Sequence, residues 1–148
     1  MMDRHSSGPI LALDVGDRRI GLAQWDERQG VREAGVLRRR SLPADLARLA
    51  HLVRERGIRR LLVGLPRNLN QSEGPQAERT RRFAEALEQA LGLPLVLWDE
   101  YETSVRATEE LGLAGRPLSP RERGRVDARA AALLLERYLA AGAPERGL

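Results

Sequence analysis

A charged side chain at the end of an apolar run constrains this chain more than any other feature. Residues 10–13 (Ile-Leu-Ala-Leu) predict a strand buried on both faces, and Asp14 follows at its carboxyl end. Gly16 and Gly21 permit a tight turn into a second strand over 20–25. An ionised carboxylate beside a core needs compensation, and a metal ion is one source of it. A capping or turn aspartate is the alternative that this stretch leaves open.

The remaining apolar runs predict one α/β domain. A third strand over 31–37 completes an antiparallel meander, because no helix separates the first three strands. Strands over 61–65 and 95–98 then alternate with helices, which requires parallel pairing through right-handed crossovers. We therefore expect a five-stranded mixed sheet flanked by helices, with the fourth strand beside the first and the fifth beyond it. The helices are predicted over 41–57, 74–91, 103–111 and 119–141.

The length and the apolar content bound the class of protein. The 148 residues suit a single domain over 10–141, with a disordered lead-in at 1–9 and a flexible tail at 142–148. No run approaches the ~20 apolar residues that span a bilayer, so we expect a cytoplasmic protein without a membrane partner. With no cysteine and two histidines, any metal would be held by oxygen, which suits Mg²⁺ or Mn²⁺.

The basic residues indicate a polyanionic partner. All 25 are arginines, against 21 acidic residues, which leaves a net charge of +4. The guanidinium of arginine can donate two parallel hydrogen bonds to a phosphate, which suits such a partner. A compositional bias of the coding sequence toward arginine explains the number of arginines equally well. The aromatic residues are two Trp, two Tyr and one Phe, too few for a base-stacking platform. We therefore expect binding to run through phosphates and shape.

Three further acids are predicted to approach Asp14. In an open sheet with parallel central strands, ligands lie beyond the carboxyl ends of those strands. Asp99 and Glu100 end the fifth strand there, and the burial of that strand on both faces gives no reason of parity to choose between them. The helical face of Asp127 must turn toward the sheet, since its other members are Ala130, Ala131, Leu134 and Tyr138.

Carboxylates gathered in one crevice repel one another unless cations intervene. Two divalent ions would relieve the repulsion and would suit the cleavage of phosphodiesters. The alternative is structural: an ion pair of Arg123 with Asp127 at helical spacing, and Asp99 or Glu100 as a helix cap.

The loop over 66–75 leaves the fourth strand at the same end and leads into a helix N-terminus, whose free amides could hold a phosphate. The candidate nucleic-acid contacts are Arg18, Arg19, Arg67, Asn68, Asn70, Arg79 and Arg82. The arginines at 38–40 and 59–60 fit solvated charge equally well. Helical phase places three arginines of the last predicted helix on a face that points away from Asp127. This stripe is therefore the weakest candidate for contact with nucleic acid: Arg121, Arg125 and Arg129.

Four motifs occur in order along the chain. They are LDVGDRRIGLA (13–23), VGLPRN (63–68) with SEGPQAE (72–78), WDE (98–100) and VDARAA (126–131). Together they resemble the YqgF (RuvX) family of Holliday-junction-resolvase-like nucleases, which are implicated in maturing the 16S rRNA precursor. The resemblance runs from about residue 10 to 138. It implies an RNase H-like fold, divalent-metal nuclease activity, and catalytic, metal-holding acids at Asp14, Glu100 and Asp127.

Two positions depart from the motifs of that family. The family commonly reads Asp-Glu-Arg-Leu-Thr-Thr where this chain has Asp-Glu-Tyr-Glu-Thr-Ser over 99–104, which removes a basic residue and adds an acid. Gln71 stands where a loop glycine is common. The first departure bears on substrate contacts and the second on the shape of the loop.

The leading hypothesis is a metal-dependent nuclease acting on structured RNA or branched DNA. RNA is favoured, because paired cuts in a junction require a two-fold dimer with an apolar interface, and the apolar helix stripes are all needed to cover the sheet. We accordingly expect a monomer or a weak homodimer. A non-catalytic nucleic-acid-binding module is an alternative. So is a nucleotide-binding fragment of the actin and sugar-kinase type, although that architecture needs a second lobe.

Overall fold

The computed structural model describes residues 8–67, 70, 72–100 and 103–147. Its strands are β1 (Ile10–Val15), β2 (Arg19–Asp26), β3 (Gly30–Arg38), β4 (Arg60–Leu65) and β5 (Leu95–Asp99). Its helices are α1 (Leu42–Arg56), α2 (Pro75–Leu91), α3 (Thr103–Glu110) and α4 (Pro120–Ala140). None of the described helices combines the length and apolar character needed to cross a membrane.

The five strands form one mixed sheet in the order β3-β2-β1-β4-β5. β1 pairs antiparallel with β2, and β2 with β3, whereas β4 pairs parallel with both β1 and β5. The predicted meander, the parallel pair and the strand order are therefore confirmed. The crossovers through α1 and α2 explain this order, because each returns the chain to start a parallel strand at the same edge of the sheet.

The sheet is covered on both faces. Alternate residues of β1, namely Leu11, Leu13 and Val15, pack with residues of α1 and α2. Ile10 and Ala12 lie on the opposite face, where they pack against α4 through Ala131, Ala132, Leu134, Leu135 and Tyr138. Ala130, which the sequence places on the sheet-facing side of this helix, instead packs with residues of α3 and the loop that follows it. The alternation along β1 thus places Asp14 on the face of α4.

The helix ends lie close to their predicted positions because the capping residues are present. The Oγ of Ser41 accepts from the amide of Ala44 at the start of α1, and Gly57 ends that helix with a positive φ of 64°. At the start of α4, the amide of Glu122 donates to the Oγ of Ser119 over 3.1 Å, and the Glu122 side chain accepts from the Ser119 amide. This capping box fixes where the helix that bears Asp127 begins.

Arg60 is not a solvated charge, although the sequence allowed that interpretation. It is 5% exposed, and its Nη1 donates to the hydroxyl of Tyr138 over 2.8 Å and to the carbonyl of Ala143. The Tyr138 hydroxyl in turn donates to the carbonyl of Pro144. These bonds tie residues 143–144 to the core. The division of the chain into a lead-in, a domain and a flexible tail stays a prediction.

Candidate active site

Asp14 lies near the carboxyl end of β1 on the face that α4 covers. Burial raises the pKa of its carboxyl from the ordinary 3.8 to about 6, a hydrogen bond with Glu100 lowers it, and the charge of Asp127 raises it further. A carboxylate in this position is poorly hydrated and lies among other acids, so its environment disfavours the charged form.

Glu100 follows β5 directly and reaches the same face. Val96 packs in the α4 cluster, whereas Leu95 and Leu97 pack on the opposite face with the residues of α1 and α2. Alternation therefore aligns Glu100 with Val96, and Asp99 with Leu97. The alternation of side chains along β5 therefore separates Glu100 from Asp99, which the apolar pattern of the strand left equivalent. The backbone of Glu100 also anchors the next helix, because its carbonyl accepts from the amide and the hydroxyl of Thr103.

The carboxyl groups of Asp14 and Glu100 are hydrogen-bonded to each other. Burial and the charge of Asp14 raise the pKa of Glu100 well above its ordinary value. Two carboxyl groups bond directly only when one of them is protonated, and the raised pKa values of both groups favour their protonated forms. Gly64 of β4 makes room for the Glu100 side chain, since a Cβ at position 64 would lie 3.1 Å from the Glu100 Cβ.

Asp127 reaches the site because α4 crosses β2 at a glycine. A Cβ on Gly21 would lie 2.1 Å from the Asp127 carbonyl oxygen, a distance that real atoms do not adopt. Gly21 is also the register partner of Asp14, so the helix comes closest where the first acid lies. Only a residue without a side chain allows this approach.

The Asp127 carboxylate is bound by Arg19, whose Nε lies 2.9 Å from its Oδ2. Burial raises the pKa of Asp127, and the hydrogen bond and charge of Arg19 oppose that rise. Each side chain is 24% exposed, so the pair borders solvent. Among the described residues no ion pair joins Asp127 to Arg123, the partner that the structural alternative required.

Within the described part of the chain, no three Asp, Glu or His side chains are arranged to hold a metal ion. The chemistry of the donors nevertheless suits one. Asp14, Glu100 and Asp127 offer carboxylate oxygens, the ligands that Mg²⁺ and Mn²⁺ prefer. The Arg19 guanidinium offsets part of their mutual repulsion, and a divalent cation would offset it in the same way.

The predicted nucleic-acid contacts are divided between the two faces of the sheet. Arg18 is exposed in the turn between β1 and β2, next to Arg19. Arg79 and Arg82 of α2 line a cavity of about 250 Å³ with Val15, on the face of the sheet opposite Asp14. The Nε of Arg79 lies 3.4 Å from Asp17 Oδ1 across that cavity.

The loop after β4 is described in part. The Oδ1 of Asn70 accepts from the amide of Ser72 over 3.0 Å, which is the local bonding typical of a solvated turn. Arg67 lies near Glu73, whose pKa is lowered mainly by its bond with Arg81 and also by the Arg67 charge. Asn68 and both departures from the family motifs, at 71 and 101–102, lie outside the described residues.

Two side chains that the sequence did not single out support the turn after Asp14. Arg39 donates from Nη1 to the carbonyl of Gly16 over 3.0 Å, and its guanidinium lies over the Phe83 ring at 4.8 Å. Gln76 donates to the carbonyl of Val15. Gln76 could have been found from the sequence, because it lies in the SEGPQAE motif. Arg39 could not, because the contact depends on the folded approach of β3 to that turn.

A family model described as "RuvX: Holliday junction resolvase" matches residues 8–141. This chain belongs to the RuvX family. Among curated members, a protein of Symbiobacterium thermophilum is 46% identical over 135 residues, covering 90% of this chain and 93% of its own. One of Moorella thermoacetica is 47% identical over 133 residues, covering 88% and 93%. Both bear the name "Putative pre-16S rRNA nuclease".

Among solved structures, RuvC of Thermus thermophilus in complex with a Holliday junction substrate superposes with a TM-score of 0.57. The match covers 90% of this chain and 96% of RuvC at 17% identity. At that identity the likeness concerns the fold alone. The RNase H-like fold that the motifs implied for this RuvX member is confirmed.

Proposed function

We propose that this chain is a divalent-metal-dependent nuclease that hydrolyses phosphodiester bonds in structured RNA, with the 16S rRNA precursor as its substrate. The proposal places the protein in the cytoplasm, in ribosome biogenesis. The observation that supports it most is the hydrogen-bonded carboxyl pair of Asp14 and Glu100. Such a pair is unfavourable for folding and is typical of a functional site.

In this proposal Asp14, Glu100 and Asp127 would hold Mg²⁺ or Mn²⁺, which would supply Lewis acidity at the scissile phosphate. The charge of such a cation would offset the repulsion between Asp14 and Glu100 and would favour their ionised forms. Arg19 binds Asp127 and brings a guanidinium beside the acids, where it would meet a substrate phosphate. Arg79 and Arg82 are paired with Asp17 and Glu78 and lie on the opposite face of the sheet, so they contribute less to the site.

The choice of RNA rests on the relatives, which are named as nucleases of pre-16S rRNA at 46–47% identity. A Holliday-junction endonuclease is the second candidate, because the matching family model bears that description. A junction resolvase must place two sites on one junction as a dimer. The two candidates therefore differ in oligomeric state as well as in substrate.

The test is a cleavage assay on a precursor fragment of 16S rRNA and on a four-way DNA junction, with Mn²⁺, Mg²⁺ or EDTA. We expect cleavage of the RNA that EDTA abolishes and that falls at least about 100-fold in Asp14→Asn and Asp127→Asn. Glu136→Gln, on an exposed part of α4, is the matched control and should cleave as wild type does. Cleavage at the wild-type rate by Asp14→Asn would refute the proposal.

Two other outcomes would identify the competing functions. Paired symmetric nicks in the junction by a stable dimer, without cleavage of RNA, would favour the resolvase. Binding of RNA that survives both EDTA and Asp14→Asn, with no cleavage of either substrate, would favour a non-catalytic binding module.

A further inference from the structure

A groove of about 570 Å³ runs between the N-terminal half of α4 and the edge strand β3. Its apolar part is formed by Val36 of β3 with Pro120 and Gly124 of α4. The helix and the strand lie close together here, since a Cβ on Gly124 would be in ordinary contact with Val36 Cγ2 at 3.5 Å. Val36 remains 39% exposed, so the groove offers an apolar surface at its base.

Arginines line both walls of this groove. The sheet wall holds Arg18, Arg19 and Arg38, and the helix wall holds Arg121, Arg123 and Arg125. Glu33 is the one acid among the described lining residues, and Arg129 pairs with it at 3.7 Å. Five of the six arginines are exposed, and within the described residues no ion pair engages their side chains: Arg18, Arg38, Arg121, Arg123 and Arg125.

The helix wall contains two of the arginines that helical phase made the weakest candidates for contact with nucleic acid. Arg121 and Arg125 do point away from Asp127 along α4, but the strand that faces them is β3. Arg129, the third member of that stripe, forms ion pairs with Glu110 and Glu33. Of the three arginines in the stripe, Arg129 is therefore neutralised by acids, whereas Arg121 and Arg125 face the groove.

The groove is continuous with the carboxylate site. Arg19 belongs to both, because the same guanidinium that binds Asp127 at 2.9 Å also lines the sheet wall. A strand whose scissile phosphate lay against the three acids could continue past Arg19 into the groove. Its next phosphates would then meet charge on either side.

We propose that this groove binds the single-stranded segment of nucleic acid adjoining the scissile phosphate. The inference rests on the proposed function and extends it to the form of the substrate. A single strand can enter and place phosphates on both walls while a sugar or base covers Val36. A duplex would rest on the rims and leave that surface uncovered. Because no aromatic side chain lines the groove among the described residues, binding depends on phosphates and tolerates any sequence.

The test measures binding to a labelled single strand in EDTA, over a range of salt concentrations. Arg121→Gln with Arg125→Gln removes two charges from the helix wall. Arg28→Gln with Arg54→Gln removes the same charge from exposed positions outside the groove. We expect the first pair to weaken binding at least about tenfold and to reduce the salt slope by about 1.4, at roughly 0.7 per phosphate contact. The second pair should retain the wild-type slope.

Three further measurements define the occupant. The Arg121→Lys with Arg125→Lys protein keeps the charge and should regain most of the affinity. RNA and DNA strands should bind alike, since they share the phosphodiester backbone, and a duplex of the same sequence should bind more weakly. Thermal unfolding should be unchanged in every variant, because the altered side chains are exposed.

Wild-type affinity and slope in the Arg121→Gln, Arg125→Gln protein would overturn the inference. So would a duplex that binds as tightly as the single strand. Cleavage in Mn²⁺ is measured in parallel on the same strand. Groove-dependent binding without any cleavage would refute the nuclease and leave the groove standing, whereas cleavage with unaltered binding would refute the groove alone.

Discussion

Arg19 Nε lies 2.9 Å from Asp127 Oδ2, so a cation supplied by the chain itself binds the third carboxylate of the site. A divalent ion that uses Asp127 must compete with this guanidinium or share the carboxylate with it. The pair is partly exposed and therefore weak, which makes such an exchange feasible.

We predict that Arg19→Gln binds Mn²⁺ about two- to fivefold more tightly than wild type, because the change removes both a competitor and a repelling charge. Isothermal titration with Mn²⁺ in the absence of nucleic acid measures this directly. Arg19→Lys keeps the charge and should stay near wild type. Weaker Mn²⁺ binding by Arg19→Gln would show that Arg19 supports the metal site and does not compete with it.

The carboxyl pair predicts how stability depends on pH in EDTA. The unfolded chain releases the Asp14 proton near pH 4, whereas the folded chain holds it until about pH 6. The folded state thus binds more protons in this window, and the free energy of unfolding must fall as pH rises through it. Asp14→Asn removes the part of that fall due to Asp14 and should be about 2 kcal/mol more stable than wild type at pH 7, with little difference at pH 4. Urea unfolding at both values measures this, and equal stability at pH 7 would contradict it.

Asp45 provides a control of opposite sign. Its burial would raise the pKa, but bonds from the Arg40 amide at 3.0 Å, Arg39 and Arg48 outweigh that effect and hold the pKa below its ordinary value. Its stabilisation is therefore present above the pKa of the unfolded chain and is lost as pH falls. Asp45→Asn should lose about 2 kcal/mol at pH 7. In the same urea experiments, the difference from wild type should shrink toward pH 3.

Glu100 and Asp99 can be separated by substitution. Because Glu100 shares the face of Asp14 and Asp99 aligns with Leu97, we predict that Glu100→Gln cuts nuclease activity at least about 100-fold and Asp99→Asn less than tenfold. Comparing kcat at saturating Mn²⁺ separates catalysis from metal affinity. Equal losses in the two variants would show that the alternation along β5 does not decide the role.

The sequence was sufficient for the architecture because the signals there are local. Apolar runs, caps and glycines mark each element, and the meander followed by two crossovers leaves one reasonable strand order. The convergence of Asp14 with the end of β5 followed from the same topology. The face of the sheet on which Glu100 lies could not be predicted, since β5 is apolar on both faces. The contacts of Arg39 and Arg121 could not be predicted either, because each depends on an element distant in sequence that packs opposite it.

Gly21 offers the sharpest test of how the third acid reaches the site. A methyl group at this position would meet the carbonyl oxygen of Asp127 at 2.1 Å and its carbonyl carbon at 2.3 Å, and both are backbone atoms that cannot rotate away. The helix must move, so we predict that Gly21→Ala costs about 3 kcal/mol of stability and reduces Mn²⁺ affinity as Asp127 withdraws from Asp14.

Gly124→Ala is the matched control on α4 itself. A Cβ there makes an ordinary contact with Val36 at 3.5 Å, and alanine favours the helix over glycine, so this variant should gain about 0.5–1 kcal/mol. Thermal and urea unfolding of both variants, with Mn²⁺ titration of each, compare the two glycines directly. If Gly21→Ala kept wild-type stability and Mn²⁺ affinity, the close approach of α4 to β2 could not be what positions Asp127.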